Sequence, residues 1–191
     1  MDIENTTEMQ LPSVLPSSSL TMPQWLKLAY GVFFLYLSAQ IMIPLPWTPV
    51  PISGQTFGVA CVALSLGSLA TPAVALYWLL GLCGFPVLAG AASGVSPASG
   101  YLLGMVLATE VMRRLKAKGF ARTWWSNFSV LCAGQVIIFA LGILVLSYFV
   151  PREKLLMAAL WPFIPGDLLK VLAAATVSLH WTRYVDSKDS K

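Results

Sequence analysis

The chain has 191 residues, 57% of them hydrophobic and only 10% charged, with a formal net charge of +4. A soluble domain carries about 25% charged residues, so this composition excludes an ordinary water-soluble enzyme or binding module. The basic residues lie at the ends of apolar stretches rather than on one surface, which excludes a nucleic-acid footprint. From Leu28 to Thr109 there is no Asp, Glu, Lys, Arg or His. A run of that length must hold several membrane spans of about 20 residues each. The expected class is an all-α, multi-pass membrane protein with one domain and six transmembrane helices.

Residues 1–23 are polar, acidic and rich in Pro and Ser. They lack the basic start and apolar core of a signal peptide and read as a disordered cytoplasmic tail. The transmembrane domain is expected over 24–185, followed by a second polar tail, 186–191. Span one is placed at about 25–43 and ends in a proline-rich loop, 44–51. Span two, about 54–70, carries Gln55, Thr56 and Ser65. Span three, about 72–88, carries Tyr77 and Trp78 and leads into a Gly/Ser/Ala-rich loop, 84–100. Span four, about 100–115, closes on Glu110, Arg113 and Arg114. Span five is placed at about 124–149, a loop at 150–164, and span six at about 165–184.

Six spans put both termini on one side. Lys27, the basic residues from Arg113 to Arg122, Arg183, Lys188 and Lys191 fall on that side, while only Arg152 and Lys154 lie opposite. The positive-inside rule then makes both termini cytoplasmic. Trp25, Trp124, Trp125, Trp181 and Tyr184 form an inner aromatic belt, and Trp47 and Trp161 sit near the outer one. The outer connections are the Pro- and Gly-rich ones. Irregular backbone at membrane depth is tolerated where it lines a cavity, so these loops suggest a pocket open to the outside. Stiff turns, small-residue helix packing and ordinary belt aromatics are competing readings of the same residues.

The entry to span six, Trp161-Pro162-Phe163-Ile164-Pro165-Gly166-Asp167-Leu168-Leu169-Lys170, concentrates the chemistry. Pro165 suits a first helical turn, where its missing N–H is no loss. Asp167 and Lys170, three residues apart, share one helix face. Ionisable residues in such apolar surroundings mark a candidate site. The macrodipole would also favour Asp167 there, with Lys170 neutralising it. Glu110 reads as an interfacial charge pair with its neighbouring arginines, and His180 as an interfacial or packing residue. Cys61, Cys83 and Cys132 show no metal-ligand spacing and read as packing residues. No phosphate-binding glycine loop of the form G-x-x-x-x-G-K-[ST] is present, so any ATP hydrolysis must come from a partner.

Three stretches, in order, resemble the BioY family, the biotin-binding S components of energy-coupling factor (ECF) transporters. They are Ile43 to Ile52 followed by Gln55-Thr56, Leu80 to Gly90 followed by Ser99 to Gly104, and Pro162 to Lys170. The resemblance covers about 25–184. It implies an S-component-like six-helix fold in the cytoplasmic membrane that captures biotin from outside and hydrolyses nothing itself. The implied partners are biotin, the lipid bilayer, a transmembrane coupling subunit and two cytosolic ABC-type ATPases. No cofactor is implied. Asp167 and Lys170 match the family residues that hydrogen-bond the ligand, and the outer loops match its apolar walls.

Biotin suits this inventory. Its ureido N–H groups need an acceptor, which Asp167 provides, and its carbonyl needs a donor, which Lys170 provides. Gln55, Ser93 and Tyr101 are candidates for neutral hydrogen bonds, and Trp47, Trp78, Phe85 and Val87 for walls. Two departures stand out: Ala98 falls where the family has Thr, and Gly90 where some members have Asn. Neither side chain here can bind the ligand carboxylate. On span one Ala29 and Gly31 keep the small-residue pattern for docking the coupling subunit, but Phe33 is bulky. The alternatives are an S component for thiamine or riboflavin, a membrane-embedded lipid- or prenyl-modifying enzyme, and a structural subunit without a ligand.

Overall fold

The computed structural model describes residues 22–91 and 96–189, with the side chains of 91 and 182–189 left aside. Its helices are α1 (Gln24–Gln40), α2 (Gln55–Ser65), α3 (Ala70–Leu82), α4 (Ser99–Ala117), α5 (Trp124–Leu146), α6 (Arg152–Ala159) and α7 (Ile164–Asp189). A helix therefore forms at each of the six expected positions. By length and composition, α5 and the α6–α7 run from Arg152 to Trp181 suffice to cross a membrane. With 11 residues α2 is only about 16 Å long at 1.5 Å per residue. Ser65 is followed by a 3-10 turn over Gly67–Leu69 that joins it to α3.

Two expectations need correction. The end of span one is not helical. Met42–Ile43 (β1) pairs antiparallel with Ile52–Ser53 (β2), Met42 opposite Ser53 and Ile43 opposite Ile52. A small β ribbon thus closes the first proline-rich loop beside the helices. The 150–164 connection is not an open loop either, because α6 occupies most of it. Arg-Glu-Lys-Leu-Leu-Met-Ala-Ala consists of strong helix formers. Pro151 precedes it with φ −55°, and Glu153 stands in its first turn, where the macrodipole favours an acid.

The tightest packing is between α4 and α5. It is built on small residues from both helices. A Cβ on Gly104 would lie 2.8 Å from Ile138 Cα, and one on Gly100 would run into the Leu141 carbonyl. From α5, Gly134 makes room for Met112 and Gly142 for the Tyr101 ring. In lipid there is no hydrophobic drive between helices, so such close backbone approach supplies the association through dispersion. A capping box between Thr123 and Ser126 starts α5.

The outward faces are apolar. Val136 and Leu169 are each 68% exposed, and Phe33, Leu144 and Leu168 are exposed as well. The polar groups gather at the two ends of the bundle. At the basic end, Glu110 accepts from Arg113 at 2.5 Å and 3.0 Å, from Arg114 at 2.5 Å and from Thr71 of α3 at 2.6 Å. Lys116 donates to the Leu64 carbonyl at the end of α2. The expected charge pair is therefore also a clamp between α3 and α4. His180 sits with Nδ1 2.9 Å from the Thr176 carbonyl. Cys61 is buried, Cys132 half-buried and Cys83 exposed. On α1, Gly31 is buried towards Leu66 and Ala73 while Ala29 faces out.

Gly104→Val should force α4 and α5 apart. Overpacking of this kind costs about 1–3 kcal/mol, so the thermal midpoint of the detergent-purified protein should fall by several degrees. An unchanged midpoint would show that the contact tolerates a larger residue.

Candidate functional site

The site lies at the opposite end from the arginines, where α2, α4, α5 and α7 meet below the first two loops. Asp167 enters it from the first turn of α7. The residue is 4% exposed, and a buried charge is costly unless paired and hydrogen-bonded. Donors from three helices meet it. Lys170 Nζ, one turn on, donates to Oδ1 at 2.6 Å, and Thr56 Oγ1 of α2 donates to the same oxygen at 2.9 Å. Gln135 Nε2 of α5 donates to Oδ2 at 2.7 Å. Lys170 also lies 3.4 Å from Thr56 Oγ1. An ionised carboxylate has about four lone-pair positions. Three are taken here, which leaves one acceptor position on Oδ2.

A cavity of about 40 Å³ opens beside this cluster. Gln55, Thr56, Gln135, Asp167 and Lys170 give it a polar side. Val50, Leu88, Tyr101, Met105, Phe139 and Phe163 give it an apolar one. Tyr101, Phe139 and Phe163 form a ring cluster with centroids 6.1–6.5 Å apart. This is the composition of a small-molecule site, mostly apolar with a few placed polar groups.

Two hydrogen-bond chains hold the loops over it. In the first, Ser53 Oγ donates to Gln55 Oε1 at 2.9 Å, Gln55 Nε2 donates to Tyr77 Oη at 2.7 Å, and Tyr77 donates to the Val87 carbonyl at 3.0 Å. That chain ties the first loop to the second through α2 and α3. In the second, Tyr101 Oη donates to the Ala159 carbonyl at 2.7 Å, fastening the end of α6 to α4.

Among the residues singled out from sequence, Asp167, Lys170, Gln55 and Tyr101 come together around the cavity. Gln55 and Tyr101 spend their polar groups on the loops rather than leaving them free. Trp47 is 62% exposed and Phe85 55%; both stand on loop tips, outside the cavity lining. Trp78 packs half-buried against the core, and its Nε1 has no hydrogen-bond partner among the described residues. Val87 holds the loop through its carbonyl. Gly90 lies near Pro51 and Met42 with φ +72°. That left-handed conformation is open to Gly and, among the other residues, best to Asn or Asp. Ser93 lies outside the described residues.

Thr56 and Gln135 were not singled out as site residues. Gln135 carried a readable signal. It is the one amide side chain in the apolar stretch from Val130 to Leu146, and a polar group at that depth needs a partner. Its partner, Asp167, is distant in sequence, so the pairing itself was invisible.

The BioY family model matches residues 12–187. This chain belongs to the BioY family. A relative named "Biotin transporter BioY" from Thermotoga maritima is 37% identical over 156 residues, which is 78% of this chain and 91% of that protein. A second of the same name, from Rhodobacter capsulatus, is 31% identical over 182 residues, 81% of this chain and 94% of its own length. The fold is similar to the crystal structure of the S component for biotin from an ECF-type ABC transporter. The TM-score is 0.75 at 24% identity, covering 84% of this chain and 90% of the other. The S-component fold is thus reached by a BioY-family chain whose polar centre is the Asp167 cluster.

Replacing Gln135 by Leu leaves Asp167 Oδ2 without its donor inside the bundle. An unsatisfied buried group of this kind costs about 1–3 kcal/mol or more. The thermal midpoint of the purified protein should drop by several degrees, whereas Gln135→Glu, which sets a like charge against the carboxylate, should drop it further. Equal stability of all three proteins would contradict the bonding described.

Proposed function

We propose that this chain captures biotin on the outer side of the cytoplasmic membrane as the substrate-binding S component of an ECF-type transporter. The reading has six crossing helices, both termini cytoplasmic, and a transmembrane coupling subunit with two cytosolic ATPases as partners. Family membership and the biotin-transporter names of its relatives support it. The observation that carries it is the buried Asp167–Lys170 pair at the edge of a mostly apolar cavity.

The pair offers what a cyclic urea requires. One ureido N–H donates to the open position on Asp167 Oδ2. Lys170, turning away from Oδ1, donates to the ureido carbonyl beside that N–H. The ion pair thus exchanges part of its internal bonding for bonds to the ligand, so the charges stay compensated throughout. Thr56 and Gln135 keep the carboxylate in place during the exchange. Met105, Phe139 and Phe163 supply apolar contact for the thioether ring and acyl chain.

The cavity of about 40 Å³ is far below the roughly 300–1,000 Å³ of small-molecule pockets. Capture therefore requires the loops to part. The two hydrogen-bond chains through Tyr77 and Tyr101 name the contacts that must loosen. Uptake against a gradient then falls to the partner ATPases, since this chain has no nucleotide-binding loop of the kind named above.

Hydrogen bonds to charged groups contribute about 1.5–3 kcal/mol, and every 1.4 kcal/mol is about tenfold in affinity. Asp167→Asn and Lys170→Ala should each weaken biotin binding by about tenfold or more, read by calorimetry on the purified protein. Binding unchanged in both variants would sink the assignment.

A further inference from the structure

A second opening lies on the far side of the Asp167 cluster. It is a lateral cleft of about 300 Å³ between α5 and α7, bordered by Cys132, Val136 and Phe139 on one side and Ile164, Leu168 and Val171 on the other. Almost none of its lining is polar. Val136 is 68% exposed and Leu168 49%, so the cleft is open to whatever surrounds the bundle. Both helices belong to the segments that are long and apolar enough to cross a membrane. Gln135, Phe139 and Asp167 border the ligand cavity as well as the cleft. The wall that separates the two is therefore one layer of side chains thick.

We infer that this cleft is the seat of a phospholipid acyl chain, lying against the back of the ligand-binding wall. The inference rests on the chain's being a membrane protein and does not depend on which ligand the outer cavity takes. Three considerations select the occupant. The cleft continues the lipid-facing surface of α5 and α7, so hydrocarbon is what reaches it. Its lining offers water too few hydrogen-bond partners to hold it. Left empty, it forfeits the dispersion contacts of its whole lining. A run of methylenes is flexible enough to follow the cleft, and it places apolar matter directly behind Gln135 and Phe139.

The test uses full-length protein reconstituted in bilayers containing a phosphatidylglycerol with a photoactivatable diazirine on one acyl chain. After illumination, labelled peptides are mapped by mass spectrometry. The expected result is labelling concentrated on 132–139 and 160–171, above that of the exposed α1 face around Tyr30 and Phe33. Leu168→Trp, which fills the cleft from α7, should abolish the excess. Should that variant fail to fold, Val136→Phe fills the cleft from α5 and should do the same. Labelling spread evenly over α1 and the cleft overturns the inference, as does an excess that survives filling. Biotin plays no part in the readout, so loss of the biotin assignment would leave this result interpretable, and the reverse also holds.

Discussion

A single carboxylate inside an apolar bundle organises this molecule. Asp167 is 4% exposed, and its ionised form is tolerable there only because Lys170, Thr56 and Gln135 all donate to it. Those donors come from α7, α2 and α5. Satisfying one charge therefore fixes the relative height and rotation of three helices, because a hydrogen bond tolerates only a few tenths of an ångström. The residues that stabilise the charge also define the polar side of the cavity. Fold and site are thus held by the same bonds, and a change at the site is expected to register in stability as well as in binding.

The remainder of the bundle is built differently. Between α4 and α5, Gly100 and Gly104 let backbone meet backbone, while Gly134 and Gly142 make room for the Met112 side chain and the Tyr101 ring. This brings Tyr101 across α5 and lets its hydroxyl reach the Ala159 carbonyl. Close packing between these helices therefore positions a hydrogen bond that secures α6 at the cavity end. The Glu110 cluster holds the other end, where arginines and a threonine converge on one acid. One end of the bundle is locked by largely half-buried charges and the other by the buried Asp167 carboxylate with its donors.

Beyond the small β ribbon that closes the first loop, the loops over the cavity are held by side chains in the helices beneath them. Gln55 and Tyr77 form a relay from Ser53 to the Val87 carbonyl, which spans both loops. A relay of this type opens by breaking one or two neutral hydrogen bonds, each worth about 0.5–1.5 kcal/mol net. For the capture proposed above, that is a small barrier to admitting a ligand.

The sequence by itself determined the membrane class, the approximate positions of the long helices and the Asp167–Lys170 pair. Each of these is a local property. Hydropathy is read along the chain, and residues three apart on a helix share a face whatever surrounds them. It also carried the family resemblance, which lies in short motifs at fixed spacing. The turn of 42–43 into a strand and the helix at 152–159 lay within reach of local propensity but were masked by the prolines around them. What only the tertiary structure decided was which distant side chains meet. Thr56 and Gln135 close on Asp167 from positions 111 and 32 residues away, and Gln55 and Tyr101 turn out to hold loops. Trp47 and Phe85 stand on the outside although they are as apolar as any wall residue. The physical reason is that a hydrogen bond or a buried contact depends on the crossing of helices. Close packing at small residues fixes that crossing, and a pattern along one chain does not contain it.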